Sequence, residues 1–426
     1  MSNYLHRLAE KEFAAAADSM RIVLVSGARQ CGKTTLLKQM LKEEDLFLSF
    51  DDAMIREAAS SDPVAFLRPY LKQYRRIAID EVQKVPEILG SMKLIVDEES
   101  LAGRFLISGS SNYQALPGVN ESLAGRLAEV RLRTMTASEL SSNINADLID
   151  SFAKGEWGRL LYKVEECSKE VVLNKALIGG YPEVSSKTPQ ARKIWFENYI
   201  TRLLERDLKD IGHFEKGDAL RKILLLLSNI SSRTISRQEL SKALMLHSAT
   251  IDRYLGALKT MYLIDEVPAW SNKIMPRLVK APNFYMSDSG LMSALQGHYD
   301  LDSLMRWVNY VGKPGSDFIG NLVETWVFNQ LVPIARASGN WSIFHLRVSQ
   351  RQEIDFVLQN ELGQQLLVEV KASETVTKED FKHIDWYFEN NPESALRGIV
   401  LYCGQAVRNF GEKYTAVPMA KLWRAD

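Results

Sequence analysis

The sequence predicts an α/β protein: a parallel sheet flanked by helices, followed by helical and mixed α/β modules. Three observations predict it. Strand-length apolar runs alternate with helix-length segments from residue 1 to about 140. A glycine-bearing turn at 27–34 joins the first apolar run to a helical pattern. Beyond about residue 313, period-two patterning takes over in Glu353–Leu358 and Leu367–Lys371.

The apolar runs place strands at 21–26, 46–50, 75–79, 104–109 and 128–133. Helix-length segments between them imply a mostly parallel sheet covered on both faces, with any ligand at the carboxyl ends of the strands. The turn reads Gly27-Ala28-Arg29-Gln30-Cys31-Gly32-Lys33-Thr34, then Thr35, and fits G-x-x-x-x-G-K-[ST]. Ile22–Val25 precedes it as a strand and Thr35–Met40 follows as a helix, the setting of a P-loop. The glycines let the backbone curl so that its N–H groups face phosphates, and the helix dipole adds to the attraction. Lys33 is then aimed at the β- and γ-phosphates, and the Thr34 hydroxyl at Mg²⁺. A glycine turn with no ligand is the alternative, and this context disfavours it. The expectation is a nucleoside triphosphate site, with ATP and Mg²⁺ as cofactors.

A second buried strand supplies the acids such a site needs. Ile77-Ala78-Ile79-Asp80-Glu81 has the form of a Walker B strand. Asp80 is expected to hold Mg²⁺ through water and Glu81 to polarise the attacking water. The next run, Phe105–Asn112, ends in Ser108, Ser110, Ser111 and Asn112, either as a γ-phosphate sensor or as a plain Ser/Gly turn. Arg126 precedes the last core strand. It reads either as a cation acting on the phosphates of its own or a neighbouring subunit, or as a surface ion-pair residue.

Composition limits the partners. Hydrophobic residues are 46% and charged residues 25%, the balance of a water-soluble globular chain. Lys+Arg and Asp+Glu are both 53, so nucleic-acid contact requires a local patch and not a global basic field. Cys31, Cys167 and Cys403 are too scattered for a zinc site or a disulfide framework. The polar start lacks a signal-peptide core, and no apolar run reaches the ~18 residues of a membrane span. The expected location is cytoplasmic, with no membrane partner.

After the sheet, residues 143–215 read as helical. Gly179-Gly180-Tyr181-Pro182-Glu183 breaks the helical pattern. Residues 220–267 read as a winged helix. The apolar helix around Ile223–Leu227 precedes a capping box, Ser236-Arg237-Gln238-Glu239. A third helix then carries Ile251, Leu255, Leu258 and Tyr262 at 3–4 spacing, with Thr250, Arg253 and Lys259 on its exposed side. Such modules contact either DNA or protein. In the carboxy-terminal part, Glu324 lies on an amphipathic helix. Glu353 and Asp355 share one strand face, and Glu369 and Lys371 share a face of the next. An acid on a helix, an acid on a strand and Glu-x-Lys on the following strand make the pattern of restriction-endonuclease-like nucleases. In those, Glu324, Asp355 and Glu369 would bind Mg²⁺ and Lys371 would stabilise phosphate charge. Solvated charges on two edge strands are the alternative.

Together the motifs make the chain resemble a family of prokaryotic AAA-type P-loop ATPases with a conserved C-terminal half of unknown function and a restriction-endonuclease-like end. The resemblance rests on the P-loop, Ile-Asp-Glu-Val-Gln, Ile-Ser-Gly-Ser, Ser-Leu-Ala-Gly-Arg, Gly-Gly-Tyr-Pro-Glu, Glu-Arg-Asp, Ser-Asp-Ser-Gly-Leu, Glu-Ile-Asp-Phe and Val-Glu-Val-Lys. It implies an ATPase core over 1–142, a helical lid over 143–215 and a winged helix over 216–272. A connecting segment over 273–312 and an endonuclease-like domain over 313–426 complete the chain. It also implies that Pro182 approaches the adenine base. Cys31 stands where the family has a small aliphatic residue, and the strand before Asp355 lacks the Pro-Asp pair. Three functions follow: an ATP-hydrolysing switch or motor acting on DNA, an ATP-gated Mg²⁺-dependent nuclease, or a nucleotide-dependent protein-assembly factor. A homo-oligomer is compatible with each.

Overall fold

The computed structural model describes residues 4–110, 123–157, 167–207, 217–271, 281–339, 341–349, 352–391 and 395–424. They group into two compact units: Arg7–Thr134 with Leu258–Tyr262, and the remainder, chiefly 135–257 and 263–424.

The smaller unit is a five-stranded parallel sheet: β1 (Ile22–Ser26), β2 (Leu46–Ser49), β3 (Ile77–Asp80), β4 (Phe105–Gly109) and β5 (Leu127–Arg131), in the order β2-β3-β4-β1-β5. The strands lie where the apolar runs placed them. Alternate residues go to opposite faces. Ile22, Leu24, Ile77, Ile79, Phe105 and Ile107 join one apolar cluster, while Val23, Val25, Ala78, Leu106 and Val130 join another. The first face is covered by helices Ala53–Ser61, Pro63–Gln73 and Ile88–Glu98, through Ala59, Leu67, Met92 and Ile95. The second is covered by Ala9–Ser19 and Lys33–Gln39, through Phe13, Ala17, Leu36 and Leu37. Burial on both faces is why these strands read as unbroken apolar runs. The register aligns Ile22 with Phe105 and with Leu127, so all carboxyl ends share one edge of the sheet.

In the larger unit, residues 143–207 supply helices Leu148–Lys154, Lys169–Ile178 and Pro189–Arg202. This segment is fastened to the carboxy-terminal part. Trp341 Nε1 donates to Asp150 at 2.7 Å, and the Lys169 N–H donates to Glu374 at 2.9 Å. The residues expected as a lid thus belong to the same compact unit as the C-terminal sheet. Next come helices Gly217–Asn229, Arg237–Leu244 and Ser248–Thr260, then an antiparallel pair, β6 (Ile264–Val267) with β7 (Asn283–Met286). The capping box forms: Ser236 Oγ accepts the Glu239 N–H, and Glu239 accepts the Ser236 N–H. Tyr262 departs from expectation. The helix ends at Thr260, and Tyr262 sits beyond it with a left-handed φ of 57°.

Helix Lys313–Ser338, 26 residues long, then leads to a six-stranded mixed sheet. The strands are β8 (Trp341–Ser349), β9 (Gln352–Asn360), β10 (Gln365–Lys371), β11 (Ala395–Tyr402), β12 (Arg408–Gly411) and β13 (Tyr414–Pro418). Their order is β12-β13-β11-β10-β9-β8, so β9 and β10 are interior and not edge strands. Among the described residues, no helix is long and apolar enough to cross a membrane.

Candidate functional site

The loop after β1 curls as its glycines permit. Gly27 has φ 150°, Gly32 has φ 104°, and Gln30 between them has φ 62°. A Cβ on Gly27 would stand 2.1 Å from the Leu132 carbonyl oxygen, so only glycine fits. Ala28 and Cys31 are buried, Arg29 is half-buried, and Gln30 and Thr35 are exposed. Lys33 is 4% exposed, and its Nζ donates to the carbonyls of Gly27 (3.0 Å) and Ala28 (2.9 Å).

Parallel pairing delivers the partners of this loop. β3 ends at Asp80 on the same edge, and Thr34 Oγ1 donates to Asp80 Oδ2 at 2.8 Å. Ser108, at the end of β4 and fully buried, donates to Asp80 Oδ1 and accepts the Glu81 N–H at 3.3 Å. Both carboxylate oxygens of Asp80 are therefore held by hydroxyls. Glu81 has a left-handed φ of 59°, a strained choice for a residue with a Cβ, and this turns its side chain off the strand line. The Gln83 side-chain amide donates to Glu81 Oε2 and to Ser110 Oγ (3.0 Å). Among the candidate sensor residues, Ser108 touches Asp80 and Ser110 stands 3.5 Å from Glu81. Ser111 and Asn112 lie outside the described residues. Gln83 was not singled out from the sequence, although it sits inside the Ile-Asp-Glu-Val-Gln run.

Arg126 corrects one expectation. It precedes β5 at the end aligned with Ile22, whereas the loop follows Ser26 at the opposite end. Five residues of strand, about 16 Å at ~3.3 Å each, separate the two ends. Arg126 is instead engaged with Asp97 (Nη2 to Oδ2, 3.1 Å) and the Ala124 carbonyl. Parallel register thus rules out action on the phosphates of its own chain. Pro182 belongs to the larger unit, in a turn where Gly180 donates to Asp288 Oδ2 at 2.8 Å and accepts the Met135 N–H at 2.7 Å. On helix Ser248–Thr260, Arg253 is exposed, while Thr250 and Lys259 are half-buried.

The carboxy-terminal acids fall on neighbouring elements. β9 and β10 pair antiparallel, with Phe356 opposite Val368, and Asp355 Oδ2 accepts the Val370 N–H at 2.7 Å. Lys371 Nζ lies 3.3 Å from Glu369 Oε2. Glu324 projects from the helix beside stacked rings. Phe328, one turn on, stacks on Tyr285 (centroids 4.3 Å apart) and Phe356 (6.2 Å). The Tyr285 hydroxyl donates to Glu324 at 2.7 Å. Burial pushes the Glu324 carboxyl up to about 8, against the hydrogen bond from Tyr285, with Glu353 and Glu369 adding to the rise. Burial, then the charges of Glu369 and Glu324, hold Asp355 well above the usual range. Lys371 is drawn down by burial, but Glu369 and Asp355 outweigh that and the net shift is upward. His383, on helix Lys382–Asn390, bonds the Glu353 carbonyl and stands 3.7 Å from Glu369 Oε1, an oxygen with no hydrogen-bond donor among the described residues.

The four expected side chains thus share one electrostatic neighbourhood. Among the described residues, however, no group of three or more His, Cys, Asp or Glu is arranged to hold a metal ion. One oxygen of each expected Mg²⁺ ligand is taken by an internal donor: Glu324 by Tyr285, Asp355 by the Val370 N–H and Glu369 by Lys371. Tyr285 and His383 were missed in the sequence. They lie on other elements than the acids, Tyr285 39 residues before Glu324 and His383 on the helix after the Glu-x-Lys strand, and neither belongs to a motif.

Comparison with known proteins matches three stretches of the chain to families. Residues 19–141 match a family described as an AAA domain. Residues 170–302 and 319–422 match two domains of unknown function, DUF8612 and DUF4143. An uncharacterized protein of Mycobacterium tuberculosis and one of Mycobacterium bovis are each 26% identical over 339 residues, covering 79% of this chain and 67% of theirs. Among solved structures, a signal transduction ATPase with a tetratricopeptide repeat sensor, from Pyrococcus horikoshii, matches at 14% identity and TM-score 0.27. That match covers 79% of this chain and 53% of the other. Cdc6p of Pyrobaculum aerophilum matches at 12% identity and TM-score 0.26, over 75% of this chain and 96% of the other.

Proposed function

We propose, from the AAA domain of the P-loop ATPase family at residues 19–141, that this chain is an ATP-hydrolysing switch or motor that acts on DNA. One observation carries the ATPase reading. The hydroxyls of Thr34 and Ser108 bracket the Asp80 carboxylate beside a glycine-curled loop, at the carboxyl edge of a parallel sheet. Two hard oxygen donors in contact, Thr34 and Asp80, fit Mg²⁺, which when bound neutralises phosphate charge. The loop N–H groups bind phosphate oxygens. Lys33 leaves the carbonyls of Gly27 and Ala28 to donate to the β- and γ-phosphates. Glu81, oriented by Gln83 and Ser110, accepts a hydrogen bond from the attacking water. Purified protein should release phosphate from ATP, and Lys33→Ala should abolish tight ATP binding; equal binding by that variant would defeat the reading.

The DNA part rests on the three helices Gly217–Thr260 with the β6–β7 pair, which fit a winged helix whose last helix presents Arg253. Duplex binding that weakens steeply with salt supports it, because phosphate contacts release counterions. Absence of duplex binding at low salt would favour a protein-assembly role. The C-terminal cluster favours a second reading, a restriction-endonuclease-like domain, through Asp355, Glu369 and Lys371 on adjacent interior strands. Among the described residues no group of three or more His, Cys, Asp or Glu is arranged to hold a metal, and no cleavage step is derived from the cluster. Incubating plasmid DNA with Mg²⁺, with and without ATP, tests it; nicking by wild type but not by Lys371→Ala is the supporting result.

A further inference from the structure

A loop that wraps a triphosphate turns its N–H groups inward, so its carbonyls turn outward into the protein, where each needs a donor. In this loop, Lys33 takes the carbonyls of Gly27 and Ala28 until phosphate draws its ammonium away. The carbonyl of Cys31, at the far side of the curl, is taken by Arg7. Arg7 Nη1 donates to it at 3.1 Å, and Nη2 of the same guanidinium donates to the Arg133 carbonyl at 2.7 Å. Arg7 is 6% exposed although it lies at the start of the chain, outside every recognised motif.

The second contact point is itself part of the loop's support. Leu132, beside Arg133, donates its N–H to the Ser26 carbonyl at 2.7 Å, and its own carbonyl receives the Cys31 thiol at 3.5 Å. That carbonyl is also the atom that forbids a side chain at Gly27. The backbone of Arg7 is anchored in turn, since its N–H donates to Glu10 Oε1 at 2.7 Å in the first turn of helix Ala9–Ser19. One planar fork therefore ties the loop, the exit of β5 and the first helix together. Lysine, a single point charge on a flexible stem, cannot reproduce a fork that spans two carbonyls.

We infer that Arg7 is a positioning residue for the nucleotide site: it holds the P-loop in its phosphate-binding curl from behind, without touching the nucleotide. The inference rests on the ATP reading of the loop given above. The role predicts a loss in affinity and not in the chemical step, because Glu81 and Asp80 are held independently of Arg7, by Gln83, Thr34 and Ser108.

The experiment uses the full chain. ATP affinity is measured with a fluorescent ATP analogue, and phosphate release gives kcat and KM, for wild type, Arg7→Ala, Arg7→Lys and Lys33→Ala. Arg7→Ala should raise Kd and KM by about tenfold or more, the scale of losing charge-assisted hydrogen bonds, with kcat at saturating ATP within about threefold. Arg7→Lys should recover only part of the affinity. Millimolar guanidinium should restore binding to Arg7→Ala, and ammonium at equal ionic strength should not. Wild-type affinity in both Arg7 variants would overturn the inference. So would kcat falling in step with the folded fraction while KM holds, or failure of guanidinium to rescue the folded variant. If wild type binds no ATP, the nucleotide reading fails first and takes this inference with it. If Lys33→Ala loses binding while Arg7→Ala keeps it, only the inference falls.

Discussion

Replacing Ser108 by alanine removes one oxygen from the buried partners of Asp80. Its hydroxyl donates to Asp80 Oδ1 and accepts the Glu81 N–H at 3.3 Å; Ser108 is fully buried and Asp80 is 3% exposed. The bond to the carboxylate is the stronger of the two, worth about 1.5–3 kcal/mol, and the longer bond to Glu81 adds less. Among the described residues, the variant leaves the Asp80 carboxylate held by Thr34 alone and freer to rotate about the remaining bond. If that orientation is needed when phosphate charge develops, kcat/KM should fall about 10- to 100-fold, since ~1.4 kcal/mol is one decade. Phosphate release measured against ATP at fixed Mg²⁺ gives the ratio, and a thermal melt shows whether the fold has weakened alongside. Ser110→Ala should do less, because its hydroxyl stands 3.5 Å from Glu81. A Ser108→Ala enzyme within about threefold of wild type would refute the reasoning. The Asp80 carboxylate would then be held in place by its own strand.

Three other outcomes are expected. Glu81→Gln should keep ATP affinity within a few-fold and lose about 10²-fold or more in turnover, because an amide orients water poorly; unchanged turnover removes Glu81 from the mechanism. Arg126→Ala should leave turnover within about twofold, since the register puts Arg126 at the far end of its own sheet. A loss near 10³-fold, the scale of an arginine finger, would instead show that a second copy presents it. Glu324 has a folded value of about 8, raised from an unfolded value near 4.3. An acid raised by folding contributes stability fully below its unfolded value and loses it as pH climbs through the folded one. The wild-type free energy of unfolding from urea titrations should therefore fall between about pH 5 and pH 9, by on the order of 1–3 kcal/mol, and less so in Glu324→Gln. Parallel curves for the two proteins would show that Glu324 is not held protonated.

The sequence alone determined what depends on neighbours in the chain. Gly27 to Thr34 is one continuous backbone, so its curl was legible. Apolar runs buried on two faces announced the five strands, and period-two alternation announced the two strands that carry Asp355 and Glu369. Tertiary structure decided everything that needed a direction or a remote partner. Only the parallel register shows that Arg126 lies at the wrong end of the sheet, and only strand order brings Ser108, rather than another serine, against Asp80. Arg7 meets a carbonyl 24 residues away and another 126 residues away, a pairing no local pattern encodes. The same holds for Tyr285 and the Val370 N–H, which commit Glu324 and Asp355 to internal donors. A side chain's identity fixes which bonds it is able to make; the fold fixes which partner is within about 3 Å, and burial makes that choice binding.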